Sequence, residues 1–127
     1  MKKLTLEVLP YQLGIVRCNE LPSLEVLGSN RSSFFTLSQT DREISLVAEI
    51  DLIQELNLKS EVWRGVRFEG VLDFALKGIL AQISMILAKA DISIFAISTF
   101  ETDYILMNIS DFDRAIEILK DHYNIIE

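Results

Sequence analysis

The spacing of apolar residues in this chain changes period several times, and each change marks an element. Leu4, Leu6 and Val8 alternate with Thr5, Glu7 and Leu9, which predicts a strand that Pro10 ends. Tyr11 to Cys18 is a second extended run, and Pro22, Gly28, Ser29 and Asn30 then leave room for only a turn or two of helix. Phe34 to Ser38 and Glu43 to Glu49 read as strands around a turn at Gln39 to Arg42, with Asp51 placed to cap a short helix through Leu56. Val62 to Glu69 is a strand expected to sit centrally and join two halves. Leu76, Ile79, Leu80, Ile83, Ile86, Leu87 and Ala90 recur at three and four residues, while Lys77, Gln82, Ser84 and Lys89 take the other side. That pattern predicts an amphipathic helix from about Leu76 to Ala90. Gly78 in its first turn costs about 1 kcal/mol against alanine, which points to close backbone packing or ligand approach there. The alternation from Ile92 to Ser98 and the apolar run from Tyr104 to Ile109 form a hairpin, Asp111 caps a second helix through Ile118 or Leu119, and Tyr123 to Ile126 returns as a strand.

That hairpin has a twin. Sliding the chain by sixty positions lays Ser33 to Glu49 on Ser93 to Ile109 without a gap, so that Phe35 falls on Phe95, Glu43 on Asp103 and Leu46 on Leu106. An internal period of this kind decides architecture before anything else does. The second half reads β-α-β-β-α-β, the split arrangement of ferredoxin-like folds. The expected fold class is α+β: two ferredoxin-like units in tandem, the first reduced, each an antiparallel sheet with its helices on one face. The division falls at residues 61 and 62, giving a degenerate N-terminal unit (1–61) and a complete C-terminal one (62–127).

Composition narrows the function. The 127 residues carry 12 Lys and Arg against 19 Asp and Glu, a net charge of -7. That is the wrong sign for phosphate backbones or anionic membrane surfaces, so neither nucleic acid nor membrane is an expected partner. Cys18 stands alone, which excludes an internal disulfide and a multi-cysteine metal site and fits a reducing compartment. Gln82 and Ser84 interrupt the longest apolar stretch before it reaches membrane-spanning length. A cytoplasmic protein is expected.

Enzyme signatures are absent: no dinucleotide or phosphate-loop glycine pattern, no His-Glu-x-x-His and no nucleophile elbow. His122, the only histidine, lies at the end of the last helix, where interaction with the helix C-terminus is the simpler role. No catalytic residue, cofactor or metal is expected. The candidate site is a composite of the helix start from Asp73 to Ile79, including Gly78, and the hairpin loop from Ser98 to Asp103. Free N–H groups at a helix start attract a carboxylate, Asp103 could hold an ammonium group, and Ser98, Thr99 and backbone groups could bond the remainder. Such a cleft suits a free amino acid. The alternative for Asp103 is a turn residue that bonds its own backbone.

Gly78-Ile79-Leu80-Ala81-x-Ile83, followed by Leu87-Ala88-x-Ala90-x-Ile92-Ser93-Ile94-Phe95-Ala96-Ile97-Ser98-Thr99-Phe100-x-Thr102-Asp103-Tyr104-Ile105-Leu106, resembles the ACT-type amino-acid-binding domains related to the CASTOR arginine sensors. Glu69-Gly70-x-Leu72-Asp73-Phe74 is similar to the lead-in of the same family, and Phe34-Phe35-x-Leu37-x-x-Thr40-Asp41-x-Glu43-Ile44-Ser45 to the hairpin of its degenerate first repeat. The resemblance implies tandem ACT units, a non-catalytic sensing role and ligand capture at a junction between units. It places contacts on Gly78 and Ile79 at the helix start, Thr99 and Phe100 in the loop, and Asp103. Two departures stand out. The sensors carry four ACT units and this chain two, so a comparable junction would need a homodimer. Leu76 precedes Lys77, with no acidic group there to favour a cationic ligand. The other class of function compatible with these residues is a protein interaction or dimerisation module that docks to a regulated partner protein without a small ligand.

Overall fold

The computed structural model describes residues 3–28, 32–70 and 77–127. In chain order they form β1 (Thr5–Val8), β2 (Leu13–Cys18), α1 (Leu24–Leu27), β3 (Phe35–Gln39), β4 (Ile44–Glu49), α2 (Ile50–Glu55), β5 (Trp63–Phe68), α3 (Ile79–Lys89), β6 (Phe95–Ser98), β7 (Asp103–Asn108), α4 (Ile109–Leu119) and β8 (Asn124–Ile126). The architecture is mixed α+β and resolves into two compact units, Met1–Pro10 with Arg64–Glu127 and Tyr11–Trp63. The first is discontinuous in sequence and is called the split unit, the second the contiguous unit.

In the split unit the strands run β6-β7-β5-β1-β8. β1 lies antiparallel beside β5, Leu6 opposite Phe68 and Val8 opposite Val66. On its other side it pairs with β8 in parallel, Leu6 opposite Ile125. Two expectations are corrected here. The sheet is not purely antiparallel, because β1 occupies the place beside β5 and β8 pairs outside it while still running opposite to β5. The compact units also do not follow the sequential division at residues 61 and 62, because these pairings draw residues 1–10 in with the later strands.

Alternation then sorts the side chains by face. Leu6, Val66, Phe68, Ile105 and Met107 project to one side and meet Ile83 and Leu87 of α3 and Phe112, Ala115 and Leu119 of α4 in one buried cluster. Both helices of this unit therefore cover the same face, as the βαββαβ pattern predicts. On the opposite face Arg67 sits across from Glu7 and pairs with it at 2.9 Å. Hydrogen bonds to Tyr104 and Glu7 hold the guanidinium pKa above its ordinary value.

The contiguous unit orders its strands β3-β4-β2, all antiparallel, with Leu13 of β2 opposite Trp63. Its first helix, α1, is a single turn of four residues, within the turn or two expected there. Val16, Leu27, Leu46, Leu52 and Ile53 form its core. Buried Cys18 belongs to the same cluster.

Helix starts differ from expectation in a consistent way. α2 begins at Ile50 and α4 at Ile109, ahead of the expected caps Asp51 and Asp111, because β4 and β7 run straight into them. Neither Asp51 nor Asp111 is the cap. The Asn108 side chain accepts from Ser110 N at 3.0 Å, and Asp111 pairs with Arg114 at 3.2 Å instead. Glu49, at the equivalent place before α2, makes no cap bond, and its carboxylate accepts from Ser33 N at 2.9 Å. α3 starts at Ile79, with Gly78 as its N-cap at φ 79°. The glycine therefore lies outside the helix interior, and the interior cost assigned to it does not arise.

The twin hairpins are real but their register is not gapless. β3 begins sixty residues before β6, whereas β4 and α2 begin fifty-nine before β7 and α4. The difference is the one extra residue of β3, five against four. At the shorter offset the turns coincide: Thr40 N donates to Glu43 O and Thr99 N to Thr102 O, both at 2.9 Å. The three central buried positions of β4 and β7 coincide as well.

Candidate functional site

Ser98 and Asp103 are cross-strand partners at the tip of the β6–β7 hairpin. The Ser98 hydroxyl donates to Asp103 Oδ1 at 2.6 Å, so Asp103 engages a side chain across the hairpin. Between them Thr99 closes the turn. Its N–H and its hydroxyl both donate to Thr102 O, at 2.9 and 3.1 Å. Thr102 is buried, and its hydroxyl donates to the carbonyl of Phe68 at 3.0 Å. That bond ties the loop to the C-terminal end of β5. Phe100, at the crest, is 81% exposed.

Periodicity places Asp103 on the same face of β7 as Ile105 and Met107, the face that α3 and α4 cover. α3 follows β5 and precedes β6, so its N-terminus lies toward the end of the sheet where β5 finishes and the β6–β7 hairpin turns. Gly78 stands at that N-terminus with φ 79° and ψ 3°, with no side-chain cap bond and no acidic residue in the first turn. Nothing lies within 4 Å of where a Cβ would be. Without a side-chain cap bond from Gly78, the first turn presents N–H groups and the positive end of the helix dipole, which together favour an anion. Ile79 is half-buried at the margin of the core. The expected approach through residues 71–76, including Asp73 and Leu76, lies outside the described residues.

The structure thus brings Ser98, Thr99 and Asp103 into one hydrogen-bonded turn, and sets Gly78 and Ile79 at the helix start facing the same end of the sheet. A depression of about 660 Å³ runs along α3 and α4, lined by Gly78, Ala81, Met85, Ile86, Ile118 and His122 among others, and none of the hairpin residues borders it. His122 falls beyond α4 in that lining rather than within the helix.

Two residues of this region escaped sequence reasoning. Thr102 fastens the loop to β5, and the repeated threonine at the turn, Thr40 and Thr99, was the available sign that the turn is internally bonded. Tyr123, read as a strand residue, is instead a buried ring packed edge-on against Phe68 with centroids 6.0 Å apart. Its hydroxyl has no partner among the described residues, a fact no local pattern announces.

The chain is 36% identical over 101 residues to the cytosolic arginine sensor for mTORC1 subunit 1 of Bos taurus, covering 73% of this chain and 31% of that protein. Against the human protein of the same name it is 35% identical over 96 residues, covering 69% of this chain and 29% of that one. The chain therefore spans about a third of the length of these relatives. Among solved structures, a protein of Agobacterium tumefaciens superposes with a TM-score of 0.80 at 25% identity, covering 99% of this chain and 94% of that one. The regulatory subunit of aspartate kinase from Thermus thermophilus shares the fold at a TM-score of 0.66 and 10% identity, covering 97% and 100%. The family model of the ACT domain matches residues 59–121, the segment that carries β5, α3, the β6–β7 hairpin and α4, and with them every candidate site residue.

Proposed function

We propose that this chain is a non-catalytic regulatory module that binds a free amino acid. The ligand carboxylate meets the uncapped N–H groups after Gly78, and its ammonium group meets Asp103. Ser98, Thr99, Ile79 and the exposed ring of Phe100 complete the contacts. The observation that carries this reading is the placement of Asp103 on the helix-covered face, at the end of the sheet toward which α3 presents its N-terminus. The ACT-domain match over the same residues and the arginine sensing named for the mammalian relatives support it. The two units are read as tandem ACT units, one reduced, in a cytoplasmic protein. The proposed assembly is a homodimer.

The test is a thermal-shift screen of the standard amino acids at millimolar concentration. A ligand at about a hundred times its Kd stabilises by about 2.7 kcal/mol, which is readily seen as a rise in Tm. Asp103→Ala is expected to abolish the shift and leave the fold intact, since among the described residues the side chain it removes bonds a surface serine. A folded protein whose curve moves for none of the amino acids rejects the reading.

A second reading is favoured by one feature, the groove along α3 and α4 with Met85 58% exposed beside it. A protein partner captured there with an affinity indifferent to added amino acids would favour an interaction module.

A further inference from the structure

The depression along α3 and α4 lies wholly within the split unit. Ile86 and Ile118, half-buried at the margin of the core, line it from the core side, and Ala81 and Met85 add exposed apolar surface. Apolar surface gathered in a hollow, rather than scattered singly, marks a place of contact. Methionine suits such a place, because its unbranched thioether adapts to the shape laid on it.

The shape is that of a bed for a helix. Ala81, Met85 and Lys89 stand four residues apart in one row along α3, with Gln82 and Ile86 in the next. Ridges of that spacing are what a second helix packs against. From Gly78 to Ala90 the rows extend about 18 Å at the helical rise, the length of roughly three turns. Arg114 Nη1 donates to Ala90 O at 2.6 Å and joins the two helices at that end.

Charge selects the occupant. The chain carries 19 Asp and Glu against 12 Lys and Arg, yet none of the described residues that line the depression is acidic. Lys89, exposed in the last turn of α3, makes no ion pair with a described residue. At the other end the first turn of α3 presents its N–H groups and the positive end of the dipole beside Gly78. A second copy of this chain would bring like to like, since a two-fold axis across α3 sets Lys89 of each copy beside the first turn of α3 in the other.

We infer that the depression receives an amphipathic helix of another protein, one that carries acidic residues beside its apolar face. This names the partner for the interaction reading above and rests on that reading. Its apolar side covers Ala81, Met85 and Ile86, and its carboxylates meet Lys89 at one end and the first turn of α3 at the other.

The experiment presents the full chain to a displayed library of helical peptides of about fifteen residues. Leucine and alanine are fixed along one face, and the flanking positions are drawn at random from Glu, Gln and Lys. The expected result is enrichment of Glu, with a synthetic Glu peptide binding roughly tenfold more tightly than its Lys counterpart. Met85→Glu should abolish that binding and Lys89→Glu should remove the preference for Glu, both with the wild-type Tm, since both side chains are exposed. Peptides that bind without regard to charge overturn the acidic partner and leave the interaction reading standing. No binder at all overturns both. A dimer in sedimentation that Met85→Glu dissociates assigns the depression to a second copy and overturns the proposal. Should a variant fail to fold, the wild type labelled at methionine methyls decides by NMR, with buried Met107 as the internal reference. A Met85 signal that moves with the Glu peptide supports the contact, and one that stays overturns it.

Discussion

A methyl group added at Gly65 would sit 2.5 Å from Leu106 Cδ2 and 2.8 Å from the carbonyl oxygen of Ile105. The leucine could rotate away, but the backbone oxygen cannot move without disturbing β7, which Thr102 and the hairpin depend on. Gly65→Ala should therefore destabilise the split unit by about 1–3 kcal/mol, the usual cost of overpacking, seen as a lower urea midpoint. At Gly78 the constraint is of another kind. Open space surrounds it, and only its positive φ excludes other residues. The polar residues of the loop were legible in sequence because Ser98, Thr99 and Asp103 stand in a short polar break between two apolar runs. Tyr123 was not legible, since a lack of partners is a property of the folded surroundings and its neighbours in sequence give no sign of it.

Among the elements, α3 and the two hairpins could be read directly, because their apolar periods are long and unbroken. Cap positions could not. Whether Asn108 or Asp111 caps α4 depends on whether β7 passes into the helix without a loop, and both residues are good caps by type. The place of β1 was further out of reach. Leu4, Leu6 and Val8 declare a strand, but alternation names no partner, and the partner of Leu6 is Phe68, in a distant segment. Since β1 lies between β5 and β8, removing residues 1–10 takes away an interior strand and bares two rows of backbone groups. Such a shortened chain is expected to lose the cooperative unfolding of the split unit, with amides of Val66 to Phe68 losing their slow hydrogen exchange. Retention of that protection would show that β1 is dispensable.

For the molecule as a whole, two buried groups make stability fall on the alkaline side. Burial raises the pKa of the Cys18 thiol and of the Tyr123 phenol. Each holds its proton more tightly folded than unfolded, so its contribution is fully present below the ordinary value, about 8.5 for the thiol and about 10 for the phenol, and is lost as pH rises through the raised folded value. The urea midpoint of the wild type should therefore decline above about pH 8.5 more steeply than that of Cys18→Ala with Tyr123→Phe. Parallel curves would mean that neither proton is linked to folding.

The pairing of β1 with β5 and β8 also fixes an order of events during synthesis. The contiguous unit is complete once Trp63 has been made and is free to fold while the ribosome is still at work. The first ten residues must wait, their natural neighbours on one side being made midway through the chain and on the other only at Asn124 to Ile126. Until β5 has been made this apolar strand has both edges open, one edge stays open until β8 follows, and for that interval the nascent chain is at its most exposed to wrong company.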